Sequence, residues 1–143
     1  MKTFRFAISG LMVVFLILFS WQVAQAAQKP PKVQADWTQF HYDPQHTGFN
    51  PYEKVLSPAN VAGLSQAWQY TTGGPIFSSP AVANGVVYVG TYNSFLYALD
   101  ARTGAFKWSY LTGGEVRSSP AVVNGVVYFG SYDSKLYAFS LAP

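Results

Sequence analysis

The chain has 143 residues, with nine Lys and Arg, six Asp and Glu, no cysteine, and aromatic side chains at 17% of positions. Without cysteine no disulfide can hold the fold, and so small a basic excess does not provide the positive surface that nucleic-acid binding needs. Many aromatic residues with only 10% charged residues indicate a folded, β-rich domain rather than a disordered chain.

The first 26 residues have the three-part pattern of a secretory signal peptide. Lys2 and Arg5 precede an apolar run over residues 6–19, and small residues flank Gln25 just before the predicted cleavage after Ala26. The protein is therefore expected to be secreted or periplasmic, with the membrane contacted only through this segment. An uncleaved anchor is the alternative, although the run is short for a span of about 20 residues. Cleavage leaves a net charge of +1.

Two segments without a regular period follow. Residues 27–35 contain two prolines and are predicted to be a linker. Residues 36–66 are rich in turn-forming residues and are predicted to be irregular, with at most a short helix over 57–64. His41, Asp43 and His46 lie in this segment, but their spacing fits no zinc pattern. We expect a polar loop there and no metal site.

The rest of the chain, residues 67–143, is a repeat. Residues 78–99 align without gaps to residues 118–139, and sixteen of the 22 positions are identical at an offset of 40. We place repeat 1 at about 67–106 and repeat 2 at about 107–143. A period of this length suits the four-stranded blade of a β-propeller.

Each repeat alternates apolar β-formers with tight turns. Asn84-Gly85 and Asn124-Gly125 are typical of two-residue hairpins, since a type I′ turn needs positive φ at both central residues. Repeat 1 is predicted to contain strands A to D at 78–83, 86–90, 95–99 and 106–110. Repeat 2 contains A, B and C, and the segment around Trp68 aligns with strand D. The predicted strand order is thus D-ABCD-ABC.

One set of residues resembles a known family. The spacing of these residues is similar to the tryptophan-docking motif of pyrroloquinoline-quinone (PQQ) repeats, which also occur in non-enzymatic propellers: Ala98, Asp100, Thr103, Gly104 and Trp108, with Trp68 as a second copy of the tryptophan. Residues 37–50 also resemble the opening of secreted PQQ-like proteins. The resemblance implies an all-β fold, a partial propeller of about two blades, in which the tryptophan of one blade packs against its neighbour.

The same resemblance implies chemistry that the residues do not provide. The quinoprotein dehydrogenases bind PQQ and Ca²⁺ with carboxylate and amide oxygens, whereas Asp100 and Asp133 are predicted to be turn residues. We therefore predict no catalytic, cofactor-binding or metal-binding residue, no PQQ or Ca²⁺, and no enzyme activity. The expected function is that of an exported, non-catalytic binding or scaffold module. The alternatives are a role in envelope or outer-membrane protein assembly, and a remnant or subunit of a PQQ-dependent dehydrogenase.

Tyrosines recur in both repeats. Tyr92 and Tyr132 lie in a predicted turn and are candidates for surface recognition. The tyrosines within predicted strands are expected to pack between sheets: Tyr88, Tyr97, Tyr128 and Tyr137.

Two blades cannot close a ring, because propellers typically have 4 to 8. Three arrangements remain open. Copies of the chain could assemble head to tail, each D strand completing the neighbour's ABC. The two blades could instead pair within a monomer, with residues 36–66 covering the rest. Or the chain could be a remnant of a longer propeller. The expected partners are accordingly the chain itself or another envelope protein.

Overall fold

The computed structural model describes residues 36–140, so the predicted signal peptide and linker lie outside the described residues. The regular structure is β apart from one 3₁₀ turn, Val61–Gly63, which falls inside the predicted short helix. Within the described range, no helix is long and apolar enough to cross a membrane.

The strands form two antiparallel sheets, one of four strands and one of three. We call the first sheet blade 1 and the second blade 2. Neighbouring strands in sequence are neighbours in space, as in a meander. The strands of blade 1 are β1 (Ala81–Ala83), β2 (Val86–Gly90), β3 (Phe95–Asp100) and β4 (Phe106–Leu111), and those of blade 2 are β5 (Ala121–Val123), β6 (Val126–Gly130) and β7 (Leu136–Ser140). The chain is a partial β-propeller, which confirms the predicted fold class.

Both blades begin with the same hairpin. The φ angles are 51° at Asn84 and 73° at Gly85, and 49° at Asn124 and 77° at Gly125. Positive φ at both central residues is what a type I′ turn requires, and this turn matches the twist of the flanking strands.

The inner strands are shorter than predicted, because side chains take over some of the backbone pairing. The Ser78 hydroxyl donates to the Gly90 carbonyl (3.1 Å) and accepts from the Gly90 amide (2.8 Å). Ser118 makes the same two contacts with Gly130, both at 2.8 Å. The strand hydrogen bonds of β1 therefore start three residues later than the predicted strand A.

The segment around Trp68 does not form the predicted D strand. Residues 65–72 belong to no strand and make no backbone–backbone hydrogen bond within the described residues. A D strand pairs with the C strand of its own blade, and the part of the chain that the structure describes contains no C strand ahead of this segment.

The core lies between the two blades. Four residues of blade 1 point towards blade 2 and are each 0% exposed, and we call this side the leading face of blade 1: Ala81, Tyr88, Leu96 and Ala98. They pack in one cluster with Val122, Val127 and Phe129 of blade 2. Tyr128 was expected to pack between sheets but is 37% exposed, because the described residues place no blade on that side.

The N-terminal segment joins the inner edges of the two blades. Trp37 pairs with Val82 of β1 through two backbone hydrogen bonds of 2.8 and 2.6 Å. The carbonyl of Thr38 accepts from the amide of Val122 in β5 at 2.8 Å. No residue of 36–66 is buried, so this segment links the blades at their edges without covering their faces.

Candidate recognition surface

Tyr92 and Tyr132 occupy equivalent turns on one side of the two blades. The turn between β2 and β3 holds Tyr92, whose amide donates to the carbonyl of Pro75 at 2.9 Å. In blade 2 the amide of Tyr132 donates to the carbonyl of Glu115, also at 2.9 Å. Each turn is thus fastened to the loop that precedes its blade's inner strand, and this leaves the rings 41% and 67% exposed.

Arg117 lies between these two tyrosines. Its guanidinium carbon is 4.7 Å from the ring centre of Tyr92 and 4.7 Å from that of Tyr132. Phe77, 67% exposed, lies beside Tyr92 with the ring centres 5.8 Å apart. Cations favour the face of an aromatic ring at such distances. We call this row of Phe77, Tyr92, Arg117 and Tyr132 the aromatic ladder.

The charge of the ladder is already balanced. The Arg117 Nε and Nη2 atoms each lie 2.6 Å from the Glu115 Oε2 atom. This hydrogen bond raises the pKa of Arg117, so the guanidinium stays charged. A neutralised cation stacked between exposed rings offers flat apolar surface rather than an anion site. Tyr and Arg in this form are typical of protein-binding hot spots.

Asp100 closes the turn after β3. Its Oδ1 atom accepts from the backbone amides of Arg102 (3.1 Å) and Thr103 (3.0 Å) and from the Thr103 hydroxyl (2.9 Å). The Thr103 hydroxyl is the largest cause that lowers the pKa of Asp100 to about 2. This carboxylate is fully used in shaping the turn.

The tryptophans lie where one blade meets the next. The Trp68 Nε1 atom donates to the carbonyl of Ala101 at 3.1 Å, and its ring lies directly over Gly104. Trp108 pairs with Ala98 across β3 and β4, and its ring centre is 5.8 Å from that of Phe139 in blade 2. Each indole thus touches the blade that follows its own segment in the sequence.

Asp133 fastens the loop of blade 2. Its Oδ2 atom accepts from the Gly113 amide (2.9 Å) and the Tyr137 hydroxyl (2.5 Å). The Tyr137 hydrogen bond is the main cause that lowers the pKa of Asp133 to about 2, and the same bond raises the pKa of Tyr137 to about 12. In blade 1 the equivalent Asn93 donates to the carbonyl of Thr72 at 3.0 Å.

The histidines of the N-terminal segment lie in a local loop. The Asp43 carboxylate accepts from the Thr47 amide (2.9 Å) and hydroxyl (2.6 Å), and the ring centres of His41 and His46 are 5.8 Å apart. In residues 36–140 no three His, Asp or Glu side chains come together in a group that could hold a metal ion. A largely apolar cavity of about 390 Å³ lies nearby, lined by Trp37, Phe40, His41, Ser79, Pro80 and Val82.

The repeat geometry agrees with a comparison against known families. Residues 54–142 match the model of a PQQ-repeat family described as outer membrane protein assembly factor BamB. The chain belongs to this family. Among curated proteins, the uncharacterized protein YxaL of Bacillus subtilis is 39% identical over 57 residues, which are 39% of this chain and 14% of YxaL.

Solved structures of the same fold include both enzymes and a BamB protein. The quinohemoprotein alcohol dehydrogenase of Comamonas testosteroni matches with a TM-score of 0.67 and 28% identity, over 75% of this chain and 18% of the enzyme. BamB of Moraxella catarrhalis matches with a TM-score of 0.50 and 25% identity, over 54% of this chain and 24% of BamB. This chain therefore spans less than a quarter of the length of either relative.

The described residues do not fit the PQQ–Ca²⁺ group that such enzymes imply. Ca²⁺ takes 6–8 oxygen ligands, largely from carboxylates and carbonyls. Here Asp100 shapes a turn, Asp133 binds a loop amide and a tyrosine, and Glu115 pairs with Arg117. These carboxylates are committed to separate local contacts, and no mechanistic step can be derived through the cofactor.

Sequence reasoning identified Tyr92 and Tyr132 but missed Phe77, Glu115 and Arg117. Phe77 and Arg117 are equivalent positions of the two repeats, 40 residues apart. Their difference in residue type was the only signal in the sequence. A side chain that differs between otherwise similar repeats was not enough to show that Arg117 stacks between tyrosines of both blades.

Proposed function

We propose that this chain is an exported, non-catalytic protein-binding module that recognises its partner through the aromatic ladder. It acts in the periplasm or outside the cell. The observation that supports this proposal is the row of exposed rings around Arg117, which extends over both blades. Aromatic residues and Arg are enriched where protein surfaces bind, because they bury much area at little entropic cost.

The carboxylates support the non-catalytic part of the proposal. A general acid or base needs a titratable group within reach of a substrate. Asp100 and Asp133 each accept several hydrogen bonds inside a turn, and their pKa values of about 2 keep them ionised and engaged at neutral pH. Such groups serve structure and are poorly suited to proton transfer.

The recognition surface can be tested by capture from an envelope extract. The full chain is expressed and exported, and the recovered protein is compared with the double variant Tyr92→Ser/Tyr132→Ser. We expect the variant to lose at least about tenfold of the captured partner, as the loss of two hot-spot residues predicts. A matched control replaces Phe49 and Tyr52 by Ser, since these are also exposed (66% and 57%) but lie outside the ladder.

Equal capture by the wild type and the ladder variant would refute the recognition surface. Binding on a glycan array that the same variant abolishes would assign the ladder to carbohydrate rather than protein. A separate measurement addresses catalysis. A ligand that binds the native state raises its melting temperature, so a clear rise on addition of PQQ and Ca²⁺ would overturn the non-catalytic proposal; we expect none.

A role in outer-membrane protein assembly is the second candidate. It is favoured by the family match over residues 54–142, whose description names such a factor. The capture experiment separates the two candidates, because this role requires that the captured partners be outer-membrane proteins or components of their assembly.

A further inference from the structure

The leading face of blade 1 has an uncovered duplicate on blade 2. The equivalent residues of blade 2, 40 positions later, are identical: Ala121, Tyr128, Leu136 and Ala138. Their burial differs completely. Tyr88 is 0% exposed and Tyr128 is 37% exposed, while Leu96 is 0% exposed and Leu136 is 78% exposed. A surface that is covered in blade 1 is thus repeated, residue for residue, without a cover in blade 2.

The surface that covers the first face also has a duplicate. Val122, Val127 and Tyr137 of blade 2 lie on the side that packs against blade 1. Their equivalents in blade 1 are the same residue types, Val82, Val87 and Tyr97, and all three are partly exposed. The chain therefore presents, at its two ends, the two halves of an interface that it already contains in its middle.

Residues 68–72 lie on blade 1 as the end of β4 lies on blade 2. The rings of Tyr70 and Tyr97 are 5.8 Å apart at 58°, and those of Tyr110 and Tyr137 are 5.5 Å apart at 58°. Thr72 is held by the Tyr97 hydroxyl, which donates to its carbonyl at 2.9 Å. The backbone of residues 65–72 pairs with no other backbone within the described part of the chain.

The outer edge of β7 is the matching vacancy. In blade 1 this edge of the C strand pairs with β4, whereas β7 is the last strand of its sheet in the described residues. An unpaired edge offers a row of amides and carbonyls to another strand. Addition of a strand to such an edge is a common way for chains to associate.

We infer that copies of this chain associate head to tail, with residues 68–71 of one copy forming the fourth strand of blade 2 in the preceding copy. The pairing of β3 with β4 sets the register after a shift of 40 residues. The expected pairs are Lys135 with Thr71, Leu136 with Tyr70, Tyr137 with Gln69, and Ala138 with Trp68. Blade 1 of the incoming copy then covers Tyr128 and Leu136. About three or four copies would give the six or eight blades of a closed ring.

This association is independent of the aromatic ladder and does not rest on the proposed function. The occupant is a second copy because the new interface would repeat the one already formed between blades 1 and 2, with identical residues on the leading face. A heterologous contact of this kind closes into a ring when the rotation between copies allows it.

Sedimentation of the exported protein tests the association. We expect the wild type to sediment as about three or four copies, and Leu136→Lys to sediment as a single copy with an unchanged circular dichroism spectrum. Val55→Lys is the matched control, because Val55 is 77% exposed and lies outside both halves of the interface. A folded wild-type monomer, or an oligomer that Leu136→Lys leaves intact, would overturn the inference.

Engineered cysteines test the register, since the natural chain contains none. Directly paired residues of antiparallel strands have Cα atoms about 4.5–5.5 Å apart, within the range of a disulfide. Lys135→Cys with Thr71→Cys should therefore form disulfides between copies on oxidation. Lys135→Cys with Gln69→Cys should not, because Gln69 is displaced by two residues along the strand. Cross-linking in the second pair but not in the first would rule out this register.

Discussion

Gly104 occupies a position where two local requirements coincide. Its φ is +71°, a conformation that residues with a Cβ rarely adopt. A Cβ at this position would also lie 2.6 Å from the Trp68 ring. The turn closed by Asp100 therefore serves as the surface on which the indole rests, and only glycine allows the two to approach so closely.

Replacing Gly104 by Ala should destabilise the protein by more than about 1 kcal/mol, because the native φ is incompatible with the new side chain. Urea unfolding followed by Trp fluorescence measures the change. Gly63→Ala is the control, since Gly63 has a negative φ and open space around its Cα. Equal unfolding free energies for the two variants would contradict the role assigned to Gly104.

Asp133 shows how one carboxylate can couple a loop to a strand. It accepts from the Gly113 amide and the Tyr137 hydroxyl, and its pKa falls from the ordinary 3.8 to about 2. A group with a lowered pKa in the folded state stabilises the protein above its ordinary pKa. This stabilisation is lost as the pH falls towards the folded-state value.

The melting temperature should therefore drop between about pH 4 and pH 2, with Asp100 and Asp133 both contributing. Asp133→Asn introduces the residue that blade 1 has at the equivalent position. We expect it to lower the melting temperature at pH 7 and to make the drop at acid pH shallower. A pH profile parallel to that of the wild type would show that Asp133 does not contribute.

At the scale of strands and blades, identical residues have opposite environments. The β3 strand lies inside blade 1, paired on both edges, and its Leu96 is fully buried under blade 2. The β7 strand has nearly the same sequence, but one edge is free and Leu136 points to solvent. The difference arises from the neighbours of each strand and not from the strand itself.

This difference predicts unequal effects of one substitution at two equivalent sites. Leu96→Ala should cost about 2–5 kcal/mol of unfolding free energy, as expected for a buried leucine. Leu136→Ala should change the stability of a single copy by no more than about 0.5 kcal/mol. Urea unfolding at the lowest practical protein concentration compares them. Similar costs at both sites would mean that Leu136 is buried even in a single copy.

At the scale of the whole molecule, stability and association should be linked. Two blades bury one interface, and repeat units of this kind usually need about three or more neighbours for stability. If copies complete each other's blades, association stabilises the native state by mass action. The free blade faces then explain why so small a chain needs neither disulfide nor metal.

A tenfold increase in protein concentration should therefore raise the melting temperature of the wild type. The melting temperature of Leu136→Lys should not change over the same range, because this substitution places a charge in the proposed interface. Calorimetry at several concentrations provides the measurement. A wild-type melting temperature that is independent of concentration would argue against assembly.

Much of the fold could be predicted because its signals are local. The Asn-Gly pairs and the alternation of β-formers predicted β2 and β6 with the bounds that the structure has. The family resemblance was confirmed by the match over residues 54–142. In the candidate site, the sequence singled out Tyr92 and Tyr132, since a turn residue in a repeat is exposed at each recurrence.

What the sequence by itself determined about this protein is the repeat, its hairpins and its family, because turn chemistry and side-chain alternation act over a few residues. Only the tertiary structure decided which copy of each repeated residue is buried, where Arg117 stacks, and that residues 65–72 remain unpaired. Burial and pairing depend on the neighbour that is present, and two identical repeats with different neighbours carry the same letters. Tyr88 and Tyr128 have the same local sequence, and their exposures of 0% and 37% differ because blade 2 covers one and leaves the other open.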